Sequence, residues 1–210
     1  PVSSLDHWRR KYVAQRLVDE ANYRQVIVLT HDTSFLGELR DAIEQLGTAH
    51  LIQHLEWSGG KPGFVSEGLP WEHQGYKERI NKLEQAQKKF EKLPWPPYPN
   101  DQQSEAMRRQ YSQLRSAIER VVQDVVFCGV VKRYRDWIRM DNLEGVVGFS
   151  NKESVEIARL HKRCCDVTDA HDPSSAKASP VPTAAELGKD IQDLQTVISW
   201  IETRKKTNKP

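Results

Sequence analysis

His31 and Asp32 are the residues of this chain whose position most clearly permits chemistry. They follow the apolar run Val26-Ile27-Val28-Leu29 almost directly, and most of that run is β-branched. Such a run predicts a strand buried on both faces of a parallel sheet. In open α/β sheets ligands bind beyond the carboxyl ends of the strands. A neutral imidazole at that place can donate a hydrogen bond to a bound group, and the alternative is a histidine that only packs in the loop.

Helical patterns on both sides of the run would position these two residues. Before the run, the apolar residues fall close to one helical stripe: Trp8, Val13, Leu17, Val18 and Ala21. After the run they repeat at intervals of three and four, as Phe35, Leu36, Leu39, Ile43 and Leu46. Gly47 then predicts the end of the second helix. Helix, buried strand and helix are half of a βαβ arrangement, so the expected fold class is α/β.

The order of these motifs resembles the late ATP-site loops of an ABC-type ATPase of the SMC, RecF and RecN kind. The N-terminal Pro-Val-Ser-Ser-Leu-Asp is similar to the D-loop, which follows the Walker B strand in that superfamily. The apolar run that leads to Thr30-His31-Asp32 is similar to the next strand, which ends in the switch histidine. The resemblance implies the C-terminal part of an ATPase lobe, beginning just after the Walker B acidic residues.

The resemblance also implies roles for single residues. In this superfamily two lobes sandwich ATP, and the switch histidine, here His31, contacts the γ-phosphate and helps to orient the attacking water. Ser4 and Asp6 of the D-loop, with Asp32, would lie at the ATP site and the dimer interface. The complete protein is then expected to use ATP and Mg²⁺ and to form a homodimer through the D-loop. The alternative for Asp6 is an N-cap of the following helix, and both roles are compatible.

The sequence lacks the parts that would bind the phosphates. It contains no G-x-x-x-x-G-K-[ST] motif and no Ser-Gly-Gly-Gln signature. Gly59 and Gly60, before Lys61, indicate a hairpin turn rather than a phosphate-binding loop. We therefore expect this chain alone to bind no cofactor and to be inactive. ATP hydrolysis would require the missing N-terminal half, which would carry Walker A and Walker B.

Composition narrows the class of protein. The 210 residues carry a net charge of +2, which is too small to indicate nucleic acid or a membrane surface by itself. The mean hydropathy is −0.70, no apolar run approaches the roughly 18 residues of a membrane span, and no signal peptide is visible. We expect no membrane partner. Three cysteines without a Cys-x-x-Cys pair favour a reducing, cytoplasmic location.

The chain changes character near residue 70. We expect residues 1–70 to form the ATPase portion and residues 71–210 to form a mainly helical module. Within the first part, a hairpin is predicted over residues 49–70 as an antiparallel edge of the sheet, with the turn at Ser-Gly-Gly-Lys-Pro-Gly. Its apolar residues are Leu51, Leu55, Trp57, Phe64 and Val65.

Two helices joined by a proline-rich segment open the helical module. The first is predicted over residues 76–93, and residues 93–100, with four prolines, favour an extended connection or a ligand for a partner domain. From Asp101, apolar residues alternate steps of four and three, which is typical of a coiled coil or helical bundle. This seam comprises Met107, Tyr111, Leu114, Ile118, Val121, Val125 and Cys128. The pattern predicts that the second helix continues to Met140.

A basic cluster lies near the predicted end of that helix. Its cations are Lys132, Arg133, Arg135 and Arg139, interleaved with Tyr134 and Trp137. Cations that bind phosphates and aromatic rings that stack on bases are the components of a nucleic-acid surface. The alternative is a solvated helix face whose neighbours Trp137 and Ile138 lie in the core.

Two capping boxes predict the starts of the last two helices. Ser150 with Glu153 opens one, and Thr183 with Glu186 opens the other. The first helix has an apolar stripe of Ile157, Leu160 and Cys164. The last helix has a longer stripe, of Leu187, Ile191, Leu194, Ile198 and Ile201.

From Leu114 onward the sequence resembles the C-terminal helical region of large bacterial AAA ATPases related to the RloC anticodon nucleases. LRSAIERVVQDVVFCGVVKRY, RCCDVTDAHDPSS and PVPTAAELGKDIQDLQ carry the resemblance. Members of that group are linked to phage defence and to restriction of foreign nucleic acid. The resemblance implies an ATPase that acts on nucleic acid or in phage defence. The alternative is a non-catalytic helical docking module.

Arg163 and His171 support a competing enzyme hypothesis. An arginine and a histidine that converge on one pocket can cleave RNA by general acid–base chemistry, and HEPN-type ribonucleases use a related, more closely spaced pair. Here seven residues intervene, and Cys164 replaces the polar residue that usually follows the arginine. The alternative for His171 is a surface residue near a helix C-terminus, where a cation is stabilised.

A metal site has little support in the sequence. His50 and His54 would share one face only in a helix, and this segment is predicted as a strand. We therefore expect no metal ligand in this chain.

Overall fold

The chain divides into two compact units. The computed structural model describes residues 6–58, 60–93, 99–133, 138–168 and 181–207. One unit comprises Pro1–His73 with Arg133–Asp136, and the other comprises Gln74–Lys132 with Trp137–Pro210. The protein is mostly helical, and a two-stranded antiparallel sheet is the only sheet among the described residues.

Two helices with a small shared core form most of the first unit. Helix α1 (His7–Glu20) packs against helix α2 (Thr33–Leu46). Their core consists of Ala14, Val18, Phe35, Leu39 and Ala42. Both helices follow the predicted patterns, and Gly47 ends α2 at a φ of +65° as expected. Trp8 and Leu46, which the patterns place on the apolar stripes, are 63% and 51% exposed and do not belong to this core.

Residues 25–32 connect α1 to α2 and do not form the predicted strand. They have no regular secondary structure, and the side chains of Ile27 and Leu29 are 75% and 91% exposed. The expected burial on both faces is therefore wrong for this chain. A strand needs a neighbour to pair with its backbone. Among the described residues, the two strands of the sheet pair only with each other.

The predicted hairpin is present and forms a two-stranded sheet. Strand β1 (Gln53–Ser58) pairs antiparallel with β2 (Lys61–Glu67), with Leu55 opposite Val65 and an irregularity between Glu56 and Ser58. In the described chain it is not the edge of a larger sheet. Leu55 and Trp57 are therefore more than two-thirds exposed.

Four helices form the second unit. They are α3 (Tyr76–Glu91), α4 (Asp101–Val121), α5 (Asn151–Val167) and α6 (Ala184–Thr207). Helix α4 packs against α3 and α5, and α6 also packs against α3 and α5. The predicted seam of α4 is buried from Met107 to Val125, as are the predicted stripes of α5 and α6.

Both predicted capping boxes are formed in this unit. Ser150 Oγ accepts a hydrogen bond from the Glu153 N–H, and Glu153 Oε2 accepts one from the Ser150 N–H at 2.8 Å. Thr183 and Glu186 make the same exchange before α6. Each box satisfies backbone donors that have no partner within the helix.

The predicted continuation of α4 to Met140 is wrong. A π-helical turn at Val122–Val126 follows α4, and the chain then reverses through Cys128 at a φ of +53° and Gly129 at +69°. Two successive residues in left-handed conformation cannot extend a right-handed helix. A 3₁₀ turn at Met140–Val146 comes later. Ile138 is 61% exposed, so its predicted place in the core is also wrong, and Tyr134 and Trp137 lie outside the described residues.

Of the predicted proline-rich connection at residues 93–100, residues 94–98 lie outside the described residues. In the part of the chain that is described, none of the helices has the length and apolar character needed to cross a membrane.

Candidate functional site

Asp32 fixes the end of the segment that carries His31. Its Oδ1 accepts hydrogen bonds from the N–H groups of Ser34 and Phe35, at 2.9 and 3.1 Å, and so caps α2. Its other oxygen lies 3.4 Å from Nη1 of Arg10 on α1. The side chains of this ion pair are only 22% and 16% exposed, so solvent screens it less than a surface pair.

His31 precedes this fixed point and is exposed. Two amides at the start of α2 are already occupied by Asp32. Those two amides are therefore not available to a phosphate at this end of the helix. Arg10 was not predicted as part of the site, because nothing in the sequence distinguishes it from other surface arginines.

The residues expected to form a D-loop are described only in part. Asp6 accepts a hydrogen bond from the Arg9 N–H at 2.9 Å and caps α1, so the predicted capping role of Asp6 is confirmed. Its carboxylate also lies 3.6 Å from Nε of Arg9 in an exposed pair. Ser4 lies outside the described residues.

The predicted basic cluster does not lie on one continuous helix, because the helix ends before Phe127. Lys132 is half-buried in the second unit, whereas Arg133 is exposed and is grouped with the first unit. Arg139 Nε lies 3.2 Å from Asp141 Oδ2 in an exposed pair, and Arg135 lies outside the described residues. Contact with nucleic acid here stays a prediction.

Arg163 belongs to a cluster that joins three helices of the second unit. Its Nε donates to Asp190 Oδ2 at 2.5 Å, and its Nη2 donates to Glu186 Oε1 at 3.3 Å. The same Asp190 oxygen accepts a hydrogen bond from the Tyr111 hydroxyl at 2.7 Å. Asp190 is only 4% exposed, and Tyr111 is fully buried.

The titration of this cluster follows from its burial. Burial raises the pKa of Tyr111, and the hydrogen bond to Asp190 raises it further. Burial also raises the pKa of the Cys164 thiol to about 12, with the nearby Asp190 adding to the effect. Burial opposes the charge on Arg163, but its hydrogen bond to Asp190 and the neighbouring groups outweigh this and raise the pKa of Arg163. The contacts with Asp190 therefore favour the charged form of Arg163 at this partly buried position.

The ion pairs of Arg163 argue against its predicted role in a nuclease site. The guanidinium of Arg163 is held by two carboxylates and lies 5.9 Å from the Tyr111 ring. A guanidinium whose donors are already bound to two carboxylates is poorly placed to stabilise the charge that develops during RNA cleavage. His171 lies outside the described residues, so its position relative to Arg163 stays untested.

Residues that could bind a metal do not converge in the described ranges. There, no group of three or more His, Cys, Asp or Glu side chains is placed to hold an ion. His50 Nδ1 lies 3.1 Å from the Thr48 carbonyl oxygen, and His54 Nδ1 lies 3.1 Å from the Gly68 carbonyl oxygen.

A further pair of reactive side chains joins the segment after the π-helical turn to α6. Nζ of Lys205, near the end of α6, lies 2.7 Å from Sγ of Cys128 and also donates to the Val125 carbonyl oxygen. The Cys128 carbonyl oxygen accepts a hydrogen bond from Asn142 Nδ2 at 2.9 Å. No sequence signal pairs Cys128 with Lys205, because 77 positions separate them.

Comparisons of this chain with protein-family models, with curated proteins and with solved structures give no match. The inferences about function therefore depend on the residues and their geometry. Two arrangements stand out: His31 beside the Arg10–Asp32 pair in the first unit, and the buried Tyr111–Asp190–Arg163 cluster in the second.

Proposed function

We propose that the first unit is the C-terminal part of an ABC-type, SMC-like ATPase lobe, and that it contributes His31 to a composite ATP site. The observation that carries this proposal is the segment at residues 25–32. It is apolar and β-branched, it joins two capped helices that pack on each other, and it has no strand to pair with in the described chain. A missing N-terminal half of the lobe would supply that strand.

The exposure of this segment supports the proposal energetically. Ile27 and Leu29 leave most of their apolar surface in water. Fully burying one such side chain contributes about 1.5–3 kcal/mol. Pairing with a neighbouring strand would bury them and would also satisfy the backbone hydrogen-bonding groups of the segment. Burial of these side chains and pairing of the backbone would therefore both stabilise an assembly of this chain with a sheet.

The geometry around His31 supports its role in the assembled site. The Arg10–Asp32 pair and the shared core hold α1 and the start of α2 together. The exposed imidazole next to Asp32 can donate a hydrogen bond to a terminal phosphate, and the other half would bring ATP and Mg²⁺. Asp6 and Ser4 would face a second protomer, so the active form is a homodimer. The complete protein would act on nucleic acid or in phage defence.

The test is ATP turnover by this chain assembled with an N-terminal half that carries Walker A and Walker B. His31→Ala should lower turnover about 10²–10³-fold, the usual cost of removing one hydrogen-bond donor from a transition state, while ATP binding persists. His50→Ala is the matched control, since His50 is also exposed and lies in the same unit. Full turnover by the His31→Ala protein would contradict the proposal.

A second candidate function is a non-catalytic docking module, with the ATPase portion serving only as scaffold. One observation in the second unit favours it: apolar side chains are exposed in and around the Met140–Val146 turn, namely Ile138, Met140, Leu143 and Val147. Clustered exposed apolar residues are typical of interaction surfaces. ATP-dependent dimerisation of the assembled halves would favour the ATPase, and its absence would favour the docking module.

A further inference from the structure

Cys128 and Lys205 bring a thiol and an amine into direct contact. The Sγ–Nζ distance is 2.7 Å, which is shorter than an ordinary N–H···S hydrogen bond. Lys205 is further held by the carbonyl oxygen of Val125, which the π-helical turn leaves available to it. The pair lies entirely within the second unit. The amine is thus in contact with the sulfur, and a covalent bond between them requires prior oxidation of the sulfur.

Cys128 differs from the other two cysteines in its exposure. Cys128 is partly exposed, whereas Cys164 and Cys165 are buried. Gly145 packs closely against one side of the Cys128 sulfur, since a Cβ at that position would overlap Sγ. A small oxidant can therefore reach Cys128 more readily than the other two thiols.

We propose that Cys128 and Lys205 form a reversible, oxidation-dependent crosslink between the end of α4 and the end of α6. Hydrogen peroxide is the oxidant. One peroxide oxygen bonds to the Cys128 sulfur, the O–O bond breaks, and water leaves, which gives the sulfenic acid. The unprotonated amine of Lys205 then attacks that sulfur. An S–N bond forms, the S–O bond breaks, and the departing oxygen takes up the proton from nitrogen as a second water.

One peroxide is consumed, two waters are released, and the sulfur is oxidised by two electrons. A thiol reductant would break the S–N bond and restore the thiol and the amine. Because the linked residues are 77 positions apart, the bond closes a long loop, which restricts the unfolded chain and raises the melting temperature of the oxidised protein.

Peptide mapping of the purified full chain tests this proposal. The protein is treated with hydrogen peroxide, remaining thiols are alkylated, and the digest is analysed by mass spectrometry. The expected product is one peptide pair joined through Cys128 and Lys205, with the mass of both peptides less two hydrogens. Treatment with dithiothreitol should abolish it.

Variants identify the amine. Lys205→Arg keeps the cation but removes the reactive amine, and it should eliminate the crosslink. Lys206→Arg, in the same turn of α6, is the matched control and should leave it intact. Lys132→Arg should also leave the crosslink intact, although the Lys132 side chain lies near Gly129, the residue that follows Cys128. Recovery of Cys128 from the wild-type chain only as free thiol, sulfinic acid or sulfonic acid would overturn the proposal, as would a crosslink that persists in Lys205→Arg.

Discussion

Arg10 and Asp32 form an ion pair between α1 and the N-cap of α2, at 3.4 Å. Asp32 uses one carboxylate oxygen for the ion pair and the other for the cap. One side chain therefore fixes both the start of α2 and its position against α1. Because His31 is bonded directly to Asp32, these two contacts also fix the position of the His31 backbone.

The first prediction separates the two roles of Asp32. Asp32→Ala removes the cap and the ion pair and should cost about 1–2 kcal/mol locally. Asp32→Asn keeps a good capping side chain but loses the charge, so it should cost less. Hydrogen exchange of the Ser34 and Phe35 amides measures the difference. Exchange should be about fivefold or more faster in Asp32→Ala, because each 1.4 kcal/mol of lost protection corresponds to about tenfold.

Glu44→Ala, at an exposed position on the same helix, is the control and should leave both amides unchanged. Equal exchange in Asp32→Ala and the parent chain would show that the cap does not stabilise α2.

The second prediction concerns the buried cluster of the helical unit. Asp190→Ala leaves the charge of Arg163 and the hydroxyl of Tyr111 without their shared partner. Removing one side of a buried ion pair typically costs about 3–5 kcal/mol. Urea denaturation followed by circular dichroism should show this loss in the free energy of unfolding.

Asp193→Ala is the matched control for that substitution. Asp193 lies on the same helix and pairs with Arg159 at 2.7 Å, but both side chains are substantially exposed. Exposed pairs contribute about 1 kcal/mol or less. Equal effects of the two substitutions would contradict a structural role for the Asp190 cluster.

The third prediction concerns pH. Burial alone would raise the pKa of Glu153, but hydrogen bonds from Ser150 and Arg204 outweigh it and lower the pKa below its usual value. A carboxyl group with a lowered folded-state pKa contributes stability above its unfolded pKa of about 4.3 and loses it as the pH falls through the folded value. Glu153→Gln should therefore reduce the loss of stability on acidification.

Thermal unfolding measured from neutral pH down to about pH 3 checks this sign. Glu144→Gln, at an exposed position in the Met140–Val146 turn, should leave the pH dependence unchanged. A pH dependence in Glu153→Gln as steep as that of the parent chain would contradict the prediction.

The fourth prediction concerns the chain by itself. It lacks a phosphate-binding loop, so the purified protein should show no ATP turnover above background. A coupled phosphate-release assay measures this. Turnover that disappears on His31→Ala would contradict the need for a second half.

Local signals in the sequence were sufficient for much of the fold. The exchange of hydrogen bonds between Ser150 and Glu153 depends on residues three positions apart, so the pattern alone predicts it. The seam of α4 is likewise a local periodicity, and its buried residues follow it. The hairpin is defined by its turn and its flanking apolar residues.

Features that depend on distant partners could not be predicted in this way. Val26-Ile27-Val28-Leu29 has the composition of a buried strand, but a strand forms only where another strand is present. The end of α4 depends on left-handed backbone at Cys128, a conformation that few non-glycine residues adopt. Gly129 follows it at a φ of +69° and is a local signal for a helix end, but the apolar periodicity on both sides of it favoured a continuous helix. The contacts of Arg10 with Asp32 and of Arg163 with Asp190 join separate helices. The spacing of these residues along the sequence therefore does not predict them.

Hydrogen exchange of the backbone amides at residues 26–30 tests whether this segment pairs with a strand of an ATPase lobe. It is measured on this chain alone and on the chain assembled with the N-terminal half of the proposed ATPase lobe. We expect fast exchange in the chain alone, since the segment has no strand partner in the described structure, and strong protection after assembly. Equally fast exchange in both samples, with assembly verified independently, would contradict the claim that this segment completes the sheet of an ATPase.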